Sequence, residues 1–164
     1  MRTLAFLLSF CLLTAGCGVY SFTGASIQGK TANIRVLQNR ARNLVPSLAA
    51  TLTDRIRTRI LSQTGLAPVN TETADYDVSG AITAYEVTVT GVQNQQQAAQ
   101  NRLTISLQIS FKNRLDEKAS FEQSFTRFAD FAASQTIQAV EARLIEEIGA
   151  QLADDIFNKA FVNW

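Results

Sequence analysis

The chain of 164 residues contains no histidine. That absence removes the commonest general base, proton shuttle and neutral metal ligand, so neither a Ser-His-Asp nor a Cys-His catalytic arrangement can be built. Cysteine is almost as scarce, because Cys11 and Cys17 are the only two and both lie near the N-terminus. Charge of one sign is missing too. Fifteen Lys+Arg face 14 Asp+Glu, a formal charge of +1 with a sequence pI near 7.8. Such a chain has no global field to hold a polyanion, which argues against a dedicated nucleic-acid binder. Two prolines and eight glycines leave little room for a disordered tail or a linker-rich chain. What is plentiful is apolar: hydrophobic residues make up 46 % and include ten Phe, enough for one domain with its own core.

The only long uncharged apolar run follows Arg2 and extends from Leu4 to Leu13. It is too short for a mature membrane span and has the n-region, h-region and small-residue end of a secretory signal over residues 1–16. Leu13-Thr14-Ala15-Gly16-Cys17 then resembles a bacterial lipobox, although Thr14 stands where Leu is usual. The exported chain is expected to begin at a lipidated Cys17. Cys11 leaves with the signal, so the mature chain has no disulfide. Removing Arg2 leaves 14 basic and 14 acidic residues. Gly18, rather than Asp, after the cysteine points to the outer membrane under the sorting rule of some lineages.

Residues 17–33, rich in Gly, Ser and Thr, read as a lipidated tether, and 34–164 as a single domain. A short strand is expected over Ile34 to Gln38. Between Pro46 and Gly65, Leu48, Leu52, Ile56 and Ile60 recur every four residues and predict an amphipathic helix. From Tyr76 to Val92 the period changes to two, and the apolar phase passes from Val78, Ile82 and Ala84 to Tyr85, Val87 and Val89. That flip predicts a bulge near Ala84-Tyr85. The glutamine-rich stretch from 93 to 100 is a loop. Arg102 to Lys112 alternates strictly and is a strand with one buried and one polar face. Phe121 to Phe131 is a further strand, with Phe121, Phe125, Phe128 and Phe131 as its apolar residues. Ser134 is expected to cap a long helix from about Gln135 to Phe161. The fold class is therefore α+β: a two-layer sandwich with two helices on one face of a mostly antiparallel four-stranded sheet.

Charge is distributed unevenly along the chain. Between Lys30 and Arg59 seven basic residues face one acid, Asp54, whereas residues 133–164 hold two basic residues and five acids. Arg55 and Arg59 lie four apart on one helix face. They are open to two readings, a solvated surface or a meeting point for phosphate or carboxylate. Arg102 and Lys112 bracket the polar strand face, with Arg114 just beyond, under the same two readings. Glu146-Glu147 and Asp154-Asp155 lack any His or Cys to join them and read as the solvated side of a helix. Phe157 and Phe161 read as core and Trp164 as core or interface.

Cys17 to Ala25 (CGVYSFTGA), Asn101 to Ile105 (NRLTI), Phe128 to Phe131 (FADF), Ile156 to Asn158 (IFN) and the closing Asn163-Trp164 occur in that order behind the lipobox. Together they resemble the short form of the LptE family of lipopolysaccharide-assembly lipoproteins, along essentially the whole mature chain. The resemblance implies a non-enzymatic outer-membrane lipoprotein facing the periplasm, without cofactor or metal. Such a protein sits as a plug inside an LptD-type β-barrel, supports its assembly and in some members binds lipopolysaccharide. Barrel lumens are polar, so a plug needs a hydrogen-bonding exterior. Thr104, Ser106, Gln108, Ser110 and the glutamine-rich loop are candidate docking surface. Arg102, Lys112 and Arg114, or Arg55 and Arg59, are the candidate cations for lipid A phosphates or the barrel. The competing class is a periplasmic adaptor lipoprotein for another envelope complex, and a carboxylate-only hydrolase is the third.

Overall fold

The computed structural model describes residues 27–43, 45–91 and 100–162. The signal segment, Cys17 with its tether up to residue 26, most of the glutamine-rich loop and Trp164 lie outside the described residues. The elements in chain order are β1 (Thr31–Ile34), β2 (Gln38–Asn39), α1 (Leu48–Thr64), β3 (Ala67–Pro68), β4 (Tyr76–Thr90), β5 (Gln100–Asn113), a 3-10 turn (Glu117–Ala119), β6 (Phe121–Ala132) and α2 (Ile137–Phe161).

α1 forms where the four-residue stripe places it. Leu48, Leu52, Ile56 and Ile60 are all buried, and Gly65 ends the helix at φ 67° with its N–H donating to the Leu61 carbonyl at 3.0 Å. Only glycine adopts that left-handed conformation at no cost. α2 starts two residues later than expected. Gln135 N–H first closes a turn on the Ala132 carbonyl at 2.9 Å, so Ser134 lies in the turn, and Thr136 becomes the N-cap residue without a side-chain capping bond. Its 25 residues run about 37 Å at 1.5 Å per residue.

The sheet is larger and more mixed than the expected four antiparallel strands. Its described strands number six in the order β3-β1-β4-β5-β6, with β2 also on β4. β4–β5 and β5–β6 are antiparallel, whereas β1–β3, β1–β4 and β2–β4 are parallel. The reason is the crossover: a helix between two neighbouring strands returns the chain to its starting end, so the second strand runs parallel to the first. The first strand begins at Thr31, inside the stretch read as tether. It is also interrupted, because Ile34 pairs with Val78 but Gln38 with Ala81. The extra residue leaves Val36 exposed, while the Leu37 N–H turns inward to the Thr53 hydroxyl at 3.0 Å.

The phase flip of β4 is a bulge at Thr83, one residue before the expected place, between the Ile82–Leu107 and Ala84–Ser106 pairs. Val87 and Val89 do fall in phase with Tyr85, but they remain 43 % and 67 % exposed and add little to the core. The core lies between the helices and the odd-numbered residues of β5. Leu103, Ile105, Leu107, Ile109 and Phe111 have no exposed surface, and burial of each contributes about 1.5–3 kcal/mol. Tyr76, Phe111, Phe121 and Phe161 stack at one end, with centroid separations of 5.2–5.9 Å.

Candidate docking face of the sheet

Both helices cover one side of the sheet, so the even-numbered residues of β5 look out from the other. Arg102, Thr104, Ser106, Gln108 and Ser110 are half-buried there, and Lys112 is exposed. Strand pairing sets Asp130, Phe128, Thr126, Ser124 and Glu122 of β6 beside them. Side chains join across the strands. Ser106 Oγ lies 2.8 Å from Thr126 Oγ1, the Ser124 hydroxyl donates to Gln108 Oε1 at 2.9 Å, and Gln108 Nε2 donates to Glu122 at 3.3 Å. Arg102 grips Asp130 in bidentate fashion at 2.7 and 2.9 Å, and its guanidinium carbon lies 3.6 Å from the Phe128 ring centroid. The ion pair holds the Asp130 carboxyl below the usual carboxylate range.

At the β1 side of the same face, the interrupted first strand and the small residues Ser79, Gly80, Ala81 and Ser110 leave an open depression of about 380 Å³. Arg35 and Arg40 stand on its rim. Arg35 donates to both oxygens of the buried Asp77 at 3.0 and 2.5 Å, and Asn33 Nδ2 adds a third bond to that carboxylate at 3.3 Å. Arg40 is held by Gln38 Oε1 at 3.2 and 2.6 Å. Arg102 and Arg35 are therefore neutralised locally by Asp130 and Asp77, whereas Arg40, Glu86, Lys112 and Glu122 have no oppositely charged partner among the described residues, and hydroxyls and amides fill the positions between them.

The five candidate cations do not form one site. Arg102 and Lys112 share the open face, but ten residues of strand put them about 33 Å apart. Arg114 follows Lys112, its N–H bonded to the Asp75 carbonyl at 2.9 Å and its guanidinium to the Glu72 carbonyl. Arg55 and Arg59 lie in the helical layer. Arg55 pairs with Glu146, and Arg59 reaches Asp154 at 2.7 Å with its guanidinium over Phe157. The basic first third and the acidic last helix thus meet as interhelical ion pairs. Glu147 and Asp155 are likewise engaged, with Arg143 and Arg127.

Phe128 is the residue that counting aromatics misplaced. Phe121, Phe125 and Phe131 are odd-numbered and turn toward the helices, whereas Phe128 is even-numbered, points to the open face and is 47 % exposed. Strict period-two counting would have found it. Asp77 lies beside the start of β4, and nothing local in the sequence names Arg35 as its partner.

Two helices on one side of a mixed sheet, with the other side polar and bare, define a fold shared with several solved bacterial proteins, two lipoproteins among them. The minor lipoprotein from Acinetobacter baumannii superposes with a TM-score of 0.53 at 16 % identity, over 81 % of this chain and 93 % of that one. Rare lipoprotein B from Shewanella oneidensis gives 0.52 at 15 %, over 78 % and 91 %. A hypothetical protein from Chlamydia trachomatis gives 0.55 at 11 %, over 80 % and 95 %. No curated protein matches the sequence. The chain belongs to the LptE family of lipopolysaccharide assembly, which matches it over residues 29–160.

Proposed function

We propose that this chain is a non-enzymatic lipoprotein, anchored through lipid on Cys17 at the periplasmic face of the outer membrane. There it plugs and helps assemble an LptD-type β-barrel that delivers lipopolysaccharide to the outer leaflet. The bare sheet face, rich in hydrogen-bonding side chains, carries the reading. A surface whose centre presents hydroxyls and amides, with Arg102 and Arg35 each held by a carboxylate, suits the polar wall of a barrel lumen. Thr104, Ser106, Gln108 and Ser110 make the direct contacts. Lys112 and Arg114, close together at the end of β5, supply the cations for lipid A phosphates.

Co-purification from detergent-solubilised outer membranes tests the assignment. A large barrel recovered in equal amount supports it, and its reproducible absence sinks it in favour of an adaptor for another envelope complex. Charge reversal at Lys112 and Arg114 should weaken lipopolysaccharide binding. Unchanged binding retires that patch.

A further inference from the structure

The two edges of the sheet differ in kind. One ends in β3, a strand of two residues that includes Pro68. Shortness and proline are both devices by which proteins stop an edge from pairing with another chain. The other edge is β6, which pairs with β5 from Phe121 to Ala132 without a register shift and contains neither proline nor lysine. Among the described residues its backbone from 121 to 131 bonds to nothing except β5. A charge pointing to the core side would also discourage pairing. Arg127 occupies such a position, but its Nε and Nη2 both donate to the Asp155 carboxylate of α2 at 2.6 Å, which neutralises it. Asp130 is neutralised by Arg102 in the same way. The exposed Phe128 ring stands on the open face, with Arg102 stacked on it.

From this asymmetry, and resting on the barrel reading above, we infer that β6 is a strand-addition site that takes an extended, uncharged segment of the barrel partner as the next strand of the sheet. A second copy of this chain fits less well. α2 packs over β6 and reaches its edge through Asp155. Strands joined edge to edge lie about 5 Å apart, whereas two packed helices need about 8–10 Å, so the two α2 helices would obstruct one another. A lone strand brings no helix. Main-chain bonds would supply affinity, and the Phe128 ring would cover an apolar side chain of the incoming strand.

Residue-resolved amide exchange of the full lipoprotein, alone and in complex with the co-purified barrel, reads the geometry directly. In an antiparallel sheet, only every second amide of an edge strand faces outward. The expected result is that alternate amides between Ser124 and Asp130 exchange at least about tenfold more slowly in the complex, while the intervening amides, already bonded to β5, change little. Thr126→Lys, at an exposed position, should abolish that protection without changing the far-UV circular dichroism. A stoichiometric complex with β6 exchange unchanged overturns the strand addition and leaves the barrel reading intact. No barrel complex overturns both. Concentration-dependent protection in the isolated protein identifies a second copy as the occupant and overturns the inference.

Discussion

Gly80→Ala tests the packing of the sheet at its most crowded point. A Cβ at Gly80 would lie 2.3 Å from the Gln108 carbonyl oxygen and 2.9 Å from Ile109 Cδ1. The first neighbour is backbone of β5 and the second a fully buried side chain, so neither can move without disturbing the β4–β5 ladder. Overpacking of this kind costs about 1–3 kcal/mol, and backbone displacement puts the cost at the upper end. Alanine recovers about 0.5–1 kcal/mol through the lower entropy of its unfolded chain. The net loss is about 2 kcal/mol, or a fall in Tm of about 4–8 °C for a domain of this size.

Gly149→Ala is the control. Its Cβ would meet Leu52 Cδ2 at 3.1 Å, the far end of a flexible side chain, and helix propensity favours alanine by about 1 kcal/mol. Thermal unfolding followed by circular dichroism should therefore show Gly80→Ala clearly destabilised and Gly149→Ala close to wild type. A Gly80→Ala variant within about 1 °C of wild type would refute the close approach of β4 and β5.

Tyr85 donates to Glu141 at 2.5 Å, so Tyr85→Phe should cost about 1 kcal/mol at neutral pH in denaturant titration. Burial and the Glu141 carboxylate push the Tyr85 phenol above its ordinary 10.0, so its contribution is complete below pH 10 and lost as pH rises further; the gap between wild type and Tyr85→Phe should narrow there. Asp75 accepts from the Lys30 and Thr31 N–H groups and the Thr31 hydroxyl, which hold its carboxyl below 3.8. That contribution is present above about pH 4 and lost below it, so Asp75→Asn should flatten the stability profile between about pH 5 and pH 3. A double-mutant cycle on Arg59 and Asp154, both part-exposed, should return a coupling below about 1 kcal/mol, and a much larger value would mean that the pair is desolvated.

Much of this fold was legible because β5 and the two helices repeat at fixed periods. Leu103 through Phe111 alternates without exception, and Leu48 to Ile60 and Val140 to Ile156 recur every four residues, so face and element type follow from spacing. The parallel edge was not legible. β1 and β2 owe their existence to pairing with Val78 and Ile82, more than forty residues away, and two- to four-residue strands carry no period of their own. The polar face could be read as a face, but the state of its charges could not. Arg102, Arg55 and Arg59 look free in the sequence because Asp130, Glu146 and Asp154 are distant along the chain, and only the fold brings each pair together. The depression beside Arg35 and Arg40 depends in turn on the one-residue interruption at Val36 and Leu37, which follows from a hydrogen bond to the Thr53 hydroxyl on another element.

The proposed function rests on contact between the bare sheet face and a barrel wall. A photo-crosslinking amino acid at Ser106, in the middle of that face, tests it in intact cells. The expected product is an adduct of the lipoprotein with a barrel-sized outer-membrane protein. An adduct with a soluble periplasmic protein alone, or none in cells whose lipoprotein is folded and lipidated, would contradict it.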